Sequence, residues 1–457
     1  MGERWRLAVE DLGRIEHADA EIRPLTLLIG ENNSGKSYFA TLLWGLVAAG
    51  WELPSPEGPE LAACEAWARA NLPPASPRFE RALTEDEAAM FGRLFDAALN
   101  AGKDSLLKRL FRSTKIRARS IQLRSVAPSS EILWTHGYDT ETGYSLRRKT
   151  HNKDQLFTKF GPDHEWALKV AVSALRNGAV LRGTAPSIGT LGRGTDGYQS
   201  DDPIFIPASR TGYMHLYREV VRRRFEGAST EGGNGDGALT LPAFHFLDFV
   251  AFGASVAYKF HEDACALLES ALSGHIELSE GRGTKEVHYA MTGLADRLSM
   301  PLSSALVSEL APLLLVLRGA YPLRLLVLEE PESHLHPKLQ RIVARALVRL
   351  IRKGVVVLVT THSETFCQQI NNFIKLGSLP EEARQRAHAH LGYEAADYLL
   401  AEEVAGHRFD VGDNGKTRVN ELKRTESGIV MPPFNRELAN LSEAVLFLQD
   451  ALAEART

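Results

Sequence analysis

One stretch, Gly30-Glu31-Asn32-Asn33-Ser34-Gly35-Lys36-Ser37, constrains this chain more than any other. It fits the pattern G-x-x-x-x-G-K-[ST] of a phosphate-binding loop. Leu25 to Ile29 reads as a short buried strand before it. Lys36 to Ala49 reads as an apolar helix after it, with Gly50 in place to stop that helix. Strand, glycine loop and helix in that order suit the chemistry. Gly30 and Gly35 let the loop, with Asn32, Asn33 and Ser34, turn its amide N–H groups inward around phosphate oxygens. The helix N-terminus adds partial positive charge. Lys36 is placed to reach the β- and γ-phosphates, and Ser37 to put its hydroxyl on Mg²⁺. The chain is therefore expected to bind a nucleoside triphosphate, ATP with Mg²⁺.

Composition sets the frame around that loop. With 457 residues, the chain has room for two or three ordinary domains or one large domain with insertions. A hydrophobic content of 44% and a charged content of 24% are those of an ordinary globular protein. A net charge of -4 excludes a strongly basic coat but leaves room for a local basic groove. Cys64, Cys265 and Cys367 are too scattered for a zinc site or a disulfide framework. No apolar run reaches transmembrane length, and Met1 to Arg6 has no signal-peptide core behind it. The expected setting is cytoplasmic, without a membrane.

Along the chain, Arg4 to Glu10 places Trp5, Leu7 and Val9 on one side of a strand, and Ile15 to Ile22 is its expected hairpin partner. After Gly50 the composition changes. Pro54, Pro56, Pro59, Pro73, Pro74 and Pro77 punctuate short Ala-rich helices that read as a surface insertion. From Lys103 to Arg124 the chain is basic, with Lys103, Lys108, Arg109, Arg112, Lys115, Arg117, Arg119 and Arg124 against the single acid Asp104. That stretch fits a nucleic-acid-binding face and equally a solvated face paired with acids elsewhere. Ser120 to Ser125, Glu131 to Thr135 and Tyr144 to Lys149 read as antiparallel strands. Gly-rich loops follow from Gly183 to Gly197. Ile204 to Ile206 is a strand that leads to Arg210, a candidate either for phosphate contact or for pairing with a carboxylate. Tyr213 to Phe225 is a helix carrying Arg222, Arg223 and Arg224, and Thr230 to Gly237 is a flexible loop.

Further on, His275 to Leu278 and Glu286 to Met291 read as paired strands. Ser304 to Leu317 is an apolar helix, Leu325 to Leu328 a buried strand, Pro337 to Lys353 an amphipathic helix and Val355 to Val359 another buried strand. Strand-helix-strand buried on both faces predicts a parallel sheet. Beyond Asn371 the pattern weakens to a strand pair near Arg408 and Thr417 and a last helix from Asn435 to Leu452.

The second chemical element is Leu325-Leu326-Val327-Leu328-Glu329-Glu330-Pro331-Glu332. An apolar strand that delivers two carboxylates at its end is a Walker B element. Glu329 is placed to hold Mg²⁺, directly or through water, and Glu330 to polarise the attacking water. The order of P-loop, long insertion, Ser-rich helix start, Walker B and then a His after the next strand resembles ABC-type ATPases of the SMC and RecF kind. It resembles most the OLD-like group, through Glu-Glu-Pro-Glu, the His-Leu-His-Pro run at His334 to Pro337 and Ile-Pro-Ala-Ser-Arg at Ile206 to Arg210. The resemblance covers roughly residues 1–370.

The resemblance implies roles for further residues. Ser333-His334-Leu335-His336 falls at the D-loop, a better reading than an H-x-H metal pair. His362 falls at the switch-histidine position, facing the γ-phosphate. Ser303 and Ser304 fall in the signature segment that opens a helix toward a partner's γ-phosphate, with Ala305 where that group usually has Gly. Glu329 stands where most Walker B motifs have Asp.

The implied fold is α/β: an ABC-type P-loop head with a mainly parallel core sheet, an antiparallel β subdomain and helical insertions. Residues 1–50 and 270–370 form the expected core, 51–269 the insertions and 371–457 a small α/β extension. The implied activity is ATP hydrolysis in a homodimer, or higher homo-oligomer, that sandwiches ATP head to tail. No Asp-x-Asp of a Toprim nuclease follows, and the clustered carboxylates Glu329, Glu330 and Glu332 already serve the ATP site. The chain is thus expected to control a separate effector protein, in phage defence or DNA surveillance, without cutting nucleic acid itself. The rival readings are a RecF-like ATPase that acts on DNA directly and an ATP-dependent scaffold with little turnover.

Overall fold

A computed structural model of the chain describes residues 5–49, 53–54, 56–72, 78–125, 133–139, 143–150, 153–159, 163–181, 203–227, 239–254, 260–281, 283–293, 295–319, 323–431 and 442–449. The Gly-rich loops of 183–197 and the loop of 230–237 lie outside these residues, and of the expected last helix only 442–449 are described, as a helix. The side chains of Arg222, Arg223 and Arg224 are likewise outside the description.

The N-terminal strands form as their alternation dictates. In β1 (Trp5–Leu12), Trp5, Leu7 and Val9 are fully buried, and the strand pairs antiparallel with β2 (Ile15–Ile22). β3 (Leu25–Gly30) leads through the phosphate loop into α1 (Lys36–Ala49). The insertion then runs through α2 (Pro59–Asn71), β4 (Arg78–Ala82), the 27-residue α3 (Glu85–Phe111), β5 (Ser120–Ser125), β6 (Leu133–Asp139), β7 (Gly143–Thr150), β8 (Lys153–Lys159) and α4 (His164–Leu181). A capping box between Thr84 and Glu87 fixes the start of α3. Phe91 and Leu94 of α3 join a satellite core with α2 and α4, whereas Phe95, Leu99 and Leu110 belong to the core shared with α1 and the β1–β2 pair. The insertion is therefore packed onto the body and not merely tethered to it. Two indoles reinforce this: Trp5 donates to Val180 O at 2.9 Å and Trp44 to Pro203 O at 2.9 Å.

The chain continues with β9 (Ile204–Ile206), α5 (Arg210–Gly227), α6 (Leu241–Asp248), α7 (Glu262–Glu269), and a three-stranded antiparallel sheet of β10 (Gly274–Glu280), β11 (Lys285–Met291) and β12 (Arg297–Ser299). Then come α8 (Ala305–Leu317), β13 (Leu325–Glu329), α9 (Pro337–Arg352), β14 (Val356–Thr361), α10 (Glu364–Ser378), α11 (Glu381–Leu391), β15 (Val404–Val411) and β16 (Thr417–Glu421).

One nine-stranded sheet, ordered β5-β1-β2-β16-β15-β3-β14-β13-β9, organises the body. Its strands from β9 to β15 run parallel to one another. Leu326, Leu328, Val357 and Val359 feed the core beneath α8, α9 and α10, while Leu325, Val327, Val356 and Leu358 feed the core beneath α1. A sheet covered on both faces explains why these strands read as unbroken apolar runs. The fold is thus α/β, with a mostly parallel sheet, antiparallel sheets and helical insertions, as the sequence implies.

Three placements differ from the expected organisation. β5 does not pair with the strands after it: it adds antiparallel to β1, burying Ile121 and Leu123, and the separate four-stranded sheet is β4-β6-β7-β8. Residues 404–421, expected in an appended extension beyond 371, lie inside the main sheet. β15 runs parallel to β3 with Val404, Ala405 and Phe409 buried, and β16 continues to β2. β9, from the expected insertion, is the opposite edge of the same sheet. Among the described residues, no helix is long and apolar enough to cross a membrane.

Candidate functional site

The phosphate loop is shaped by its neighbours as much as by its glycines. A Cβ on Gly30 would stand 2.7 Å from Phe409 O of β15, and one on Gly35 would stand 2.9 Å from Ile15 Cγ1 of β2. Gly35 also has φ 97° and Asn33 φ 61°, values that Gly and Asn tolerate best. Lys36 is buried, with Nζ donating to Gly30 O and Glu31 O at 2.7 Å each. Burial pulls its pKa down, and the carboxylates of Glu330, Glu332 and Glu329 push it back up. In this state the ammonium is curled against its own loop, within reach of whatever anion the loop accepts.

Asn32, Asn33, Ser34, Gly35, Lys36 and Ser37 line an open cleft of about 1000 Å³, with Glu330 on its wall. The rest of the rim comes from three segments that sequence reasoning did not connect with the phosphate loop. Gly13 and Arg14 belong to the β1–β2 turn, Lys115 and Ile116 to the segment before β5, and Asn414, Gly415 and Lys416 to the β15–β16 turn. Arg14 ties two of these walls together, donating to Asn33 O and, at 3.1 Å, to Gly415 O. The cleft thus gathers Arg14, Lys36, Lys115 and Lys416, a cation set matched to a polyphosphate. The basic stretch of 103–124 divides accordingly: Lys115 faces the cleft, Arg119 pairs with Glu10 at 2.7 Å, Arg124 lies 3.9 Å from Asp96, and Arg112 stacks over the Phe244 ring.

At the end of β13, the first carboxylate is buried. Glu329 Oε2 accepts from Ala208 N at 3.1 Å, and Oε1 is buried with no hydrogen-bond partner. Burial pushes this carboxyl up from its usual range, against the pull of the Ser37 hydroxyl and the Ala208 N–H. An orphaned carboxylate oxygen next to the Ser37 hydroxyl suits Mg²⁺, a hard cation that takes oxygen ligands and draws the others from phosphate and water. The residues present therefore fit the metal. No group of three or more His, Cys, Asp or Glu able to hold a metal occurs among the described residues, so a second, all-protein metal site is not indicated there.

The next residue turns sharply. Glu330 has φ 43°, a strained value for a residue with a Cβ, and its N–H donates to Thr360 O at 2.9 Å. Its Oε2 accepts from Ser333 Oγ at 3.2 Å. Arg210 resolves the two readings left open for it: it makes no phosphate wall, donating instead to Glu329 O at 2.7 Å and Glu330 O at 2.9 Å and pairing with the Glu309 carboxylate. Glu332, buried, accepts from Thr361 Oγ1 and from His362 N at 2.8 Å each, with His362 Nδ1 at 3.3 Å. His362, half exposed, is thereby held at the end of β14, one strand over from Glu330.

His334 and His336 part company. His334 Nδ1 bonds Glu309 at 2.8 Å, whereas His336 accepts from Lys338 N at the start of α9. The signature segment stands apart from the cleft. Ser304 caps α8 by accepting from Val307 N at 3.4 Å, and Ser303 donates to Ser299 O at 3.1 Å. Neither serine lines the cleft around Lys36. Ser304 and Ala305 are exposed, and Leu302 beside them is 73% exposed.

Comparison with known proteins finds one family, described as "AAA domain, putative AbiEii toxin, Type IV TA system", over residues 293–367. That span runs from the end of β11 through α8, Glu329, Glu330 and His362, and leaves out the phosphate loop. No curated protein matches the sequence at a significant level. Among solved structures, the SMC head domain from Thermotoga maritima is 10% identical, covering 93% of this chain and 100% of that one with a TM-score of 0.33. An Smc head bound to the C-terminal winged-helix domain of ScpA is 11% identical, covering 92% and 97% with a TM-score of 0.35. An Smc head with an extended coiled coil, bound to the C-terminal domain of ScpA derived from Pyrococcus furiosus, is 11% identical, covering 99% and 100% with a TM-score of 0.36. These overlaps are too loose to carry weight on fold or function.

Proposed function

We propose that this chain binds ATP with Mg²⁺ in the cleft around Lys36 and hydrolyses it. One observation carries the reading: a phosphate loop, an orphaned buried carboxylate oxygen beside Ser37 and a second carboxylate on the cleft wall converge in one place. Loop amides and Lys36 hold the β- and γ-phosphates; Ser37 and Glu329 hold the metal, which when bound neutralises charge developing on the phosphates. Glu330 accepts a hydrogen bond from the attacking water and orients it. His362, steadied by Glu332, faces the γ-phosphate.

The reading extends to a switch. Ser303 and Ser304 sit at an exposed helix N-terminus away from their own cleft, an arrangement suited to a phosphate presented by a second copy. Two chains would close head to tail on ATP and part after hydrolysis, and that motion would control a separate effector protein, in phage defence or DNA surveillance. A direct DNA-binding role draws on the basic stretch of 103–124, but the pairing of Arg119 with Glu10 and the turn of Lys115 to the cleft leave it less support.

The test is binding and turnover measured side by side. Lys36→Ala should weaken ATP binding by ~100-fold, since charge-assisted bonds to phosphate are lost without replacement. Glu330→Gln should keep ATP affinity and slow hydrolysis by ~10²–10⁴-fold. Unchanged affinity in the first variant, or unchanged turnover in the second, overturns the assignment.

A further inference from the structure

The end of β13 is gripped from a direction that the phosphate chemistry does not require. The Arg210 guanidinium spends its fork on two consecutive main-chain carbonyls, Glu329 O and Glu330 O, and turns Nε toward Glu309 of α8. Both side chains of that ion pair are almost wholly buried, at 3% and 0% exposure. A buried pair of this kind adds little to stability over well-packed apolar residues, so its geometry is the more informative property. Glu309 does not end there. Its Oε1 accepts from Thr211 Oγ1 and bonds His334 Nδ1 at 2.8 Å. His334 is 62% exposed and itself holds φ 56°. One residue back on α8, Ser308 Oγ bonds His215 Nε2 of α5 at 3.0 Å.

We infer that Arg210 and Glu309 are positioning residues for hydrolysis. They form a buried link that joins the main chain under Glu330 to α8, whose exposed end carries Ser303 and Ser304, and to the exposed His334 loop. This rests on the ATPase reading of the cleft. Glu330 is held in a left-handed turn from both sides: its N–H donates to Thr360 O, and its carbonyl accepts from Arg210 and from the Ser333 N–H at 3.0 Å. The Ser333 contacts are local and move with the turn; Arg210 alone ties the turn to Glu309 of α8, so without it the turn can shift and carry the carboxylate away from the water it orients. Lysine cannot replace the grip, because a single ammonium on a flexible stem does not present a planar fork to two carbonyls and a carboxylate together. A partner copy seated on the end of α8, or against His334, moves Glu309, and through Arg210 it moves the catalytic carboxylate. Hydrolysis is thereby coupled to what covers that face.

The test uses the full chain, with kcat, ATP affinity from a fluorescent ATP analogue, and Tm measured on each variant. Arg210→Lys and Glu309→Gln should each lower kcat by ~10–100-fold, the scale of a misplaced catalytic group, with ATP affinity within about twofold of wild type. Adding Glu309→Gln to Arg210→Lys should cost little more, because both break one link. Wild-type kcat in Arg210→Lys overturns the inference, and so does a parallel loss of kcat and affinity, the signature of general disruption. Should a single variant fail to fold, the charge-neutral pair Arg210→Met with Glu309→Met takes its place: slow turnover at retained affinity supports the role, and wild-type turnover ends it. A wild-type chain that binds ATP without hydrolysing it overturns the ATPase reading and this role with it, an outcome distinct from an active Arg210→Lys.

Discussion

On the proposed function, two places in this molecule take phosphate, and they are built differently. The loop at Gly30 to Ser37 is walled: β15 closes over Gly30, β2 over Gly35, and four cations converge on one cleft. The start of α8 is bare. Ser304 caps its helix, Ser303 bonds to Ser299 O, Leu302 is 73% exposed, and none of these lines the cleft. A walled site grips an anion by itself. A bare helix end adds only a dipole and one or two hydroxyls, worth little in water until another surface excludes solvent. On that reading, the contrast is between a half-site that is whole by itself and one that becomes useful only in company.

The sharpest way to break this comparison is to split the two halves between chains. Lys36→Ala and Ser304→Arg should each be nearly inactive alone. Mixed in equal amounts they should recover roughly a quarter of wild-type ATPase activity, since half the dimers are mixed and each of those has one whole site. No recovery at any ratio, with both variants folded and able to exchange, would mean that the bare helix end serves something other than a second copy.

A smaller effect tests whether the walls act locally. Lys115→Glu and Lys416→Glu should each weaken ATP binding by ~3–30-fold, more at low salt than at high. Arg119→Glu, which disrupts a pair with Glu10 outside the cleft, should leave it unchanged. Equal losses in all three would reduce the cation set to a general field.

The smallest effect concerns stability. Burial holds the Glu329 carboxyl above its ordinary value of 4.5 in the nucleotide-free chain. The folded state then binds that proton more tightly than the unfolded state, so this group's contribution to stability falls as pH rises from about 4.5 through the folded value. Glu329→Gln should lack that slope and raise Tm near neutral pH by about 2 °C, while losing Mg²⁺-dependent turnover. A variant with lower Tm at every pH would show that the carboxylate is structural.

The sequence disclosed whatever is local. The phosphate loop between β3 and α1, the carboxylates at the end of β13, and Ser304 before α8 all carry their signal within a few residues. It was silent where a partner lies far away. β15 reads as a weak strand in a tail, because the parallel neighbour that buries Val404 and Phe409 is β3. β5 reads as a strand of the following hairpin, because nothing near it shows that β1 has a free edge. Arg14 and Lys416 escaped notice for the same reason, each a single cation in an ordinary turn until three turns meet, and Lys115 stood out only as part of a basic stretch, not as a wall of this cleft. For Arg210, pairing with a carboxylate was one of two legible readings, but not the partner, since Glu309 lies 99 positions onward.

That distant pairing also governs when the protein comes into being. A ribosome delivers the strand before the phosphate loop early and the strand that flanks it late; Arg14 and Gly415, which meet across the finished cleft, are 401 positions apart. Until the later strand emerges, the earlier one keeps an exposed edge of unpaired main-chain groups, open to wrong neighbours on crowded polysomes. The Asn414 to Lys416 wall is missing in the same interval, so the proposed ATP pocket is incomplete in a half-made chain. On the proposed function, nucleotide can therefore reward only a molecule in which the Asn414 to Lys416 wall has already been made.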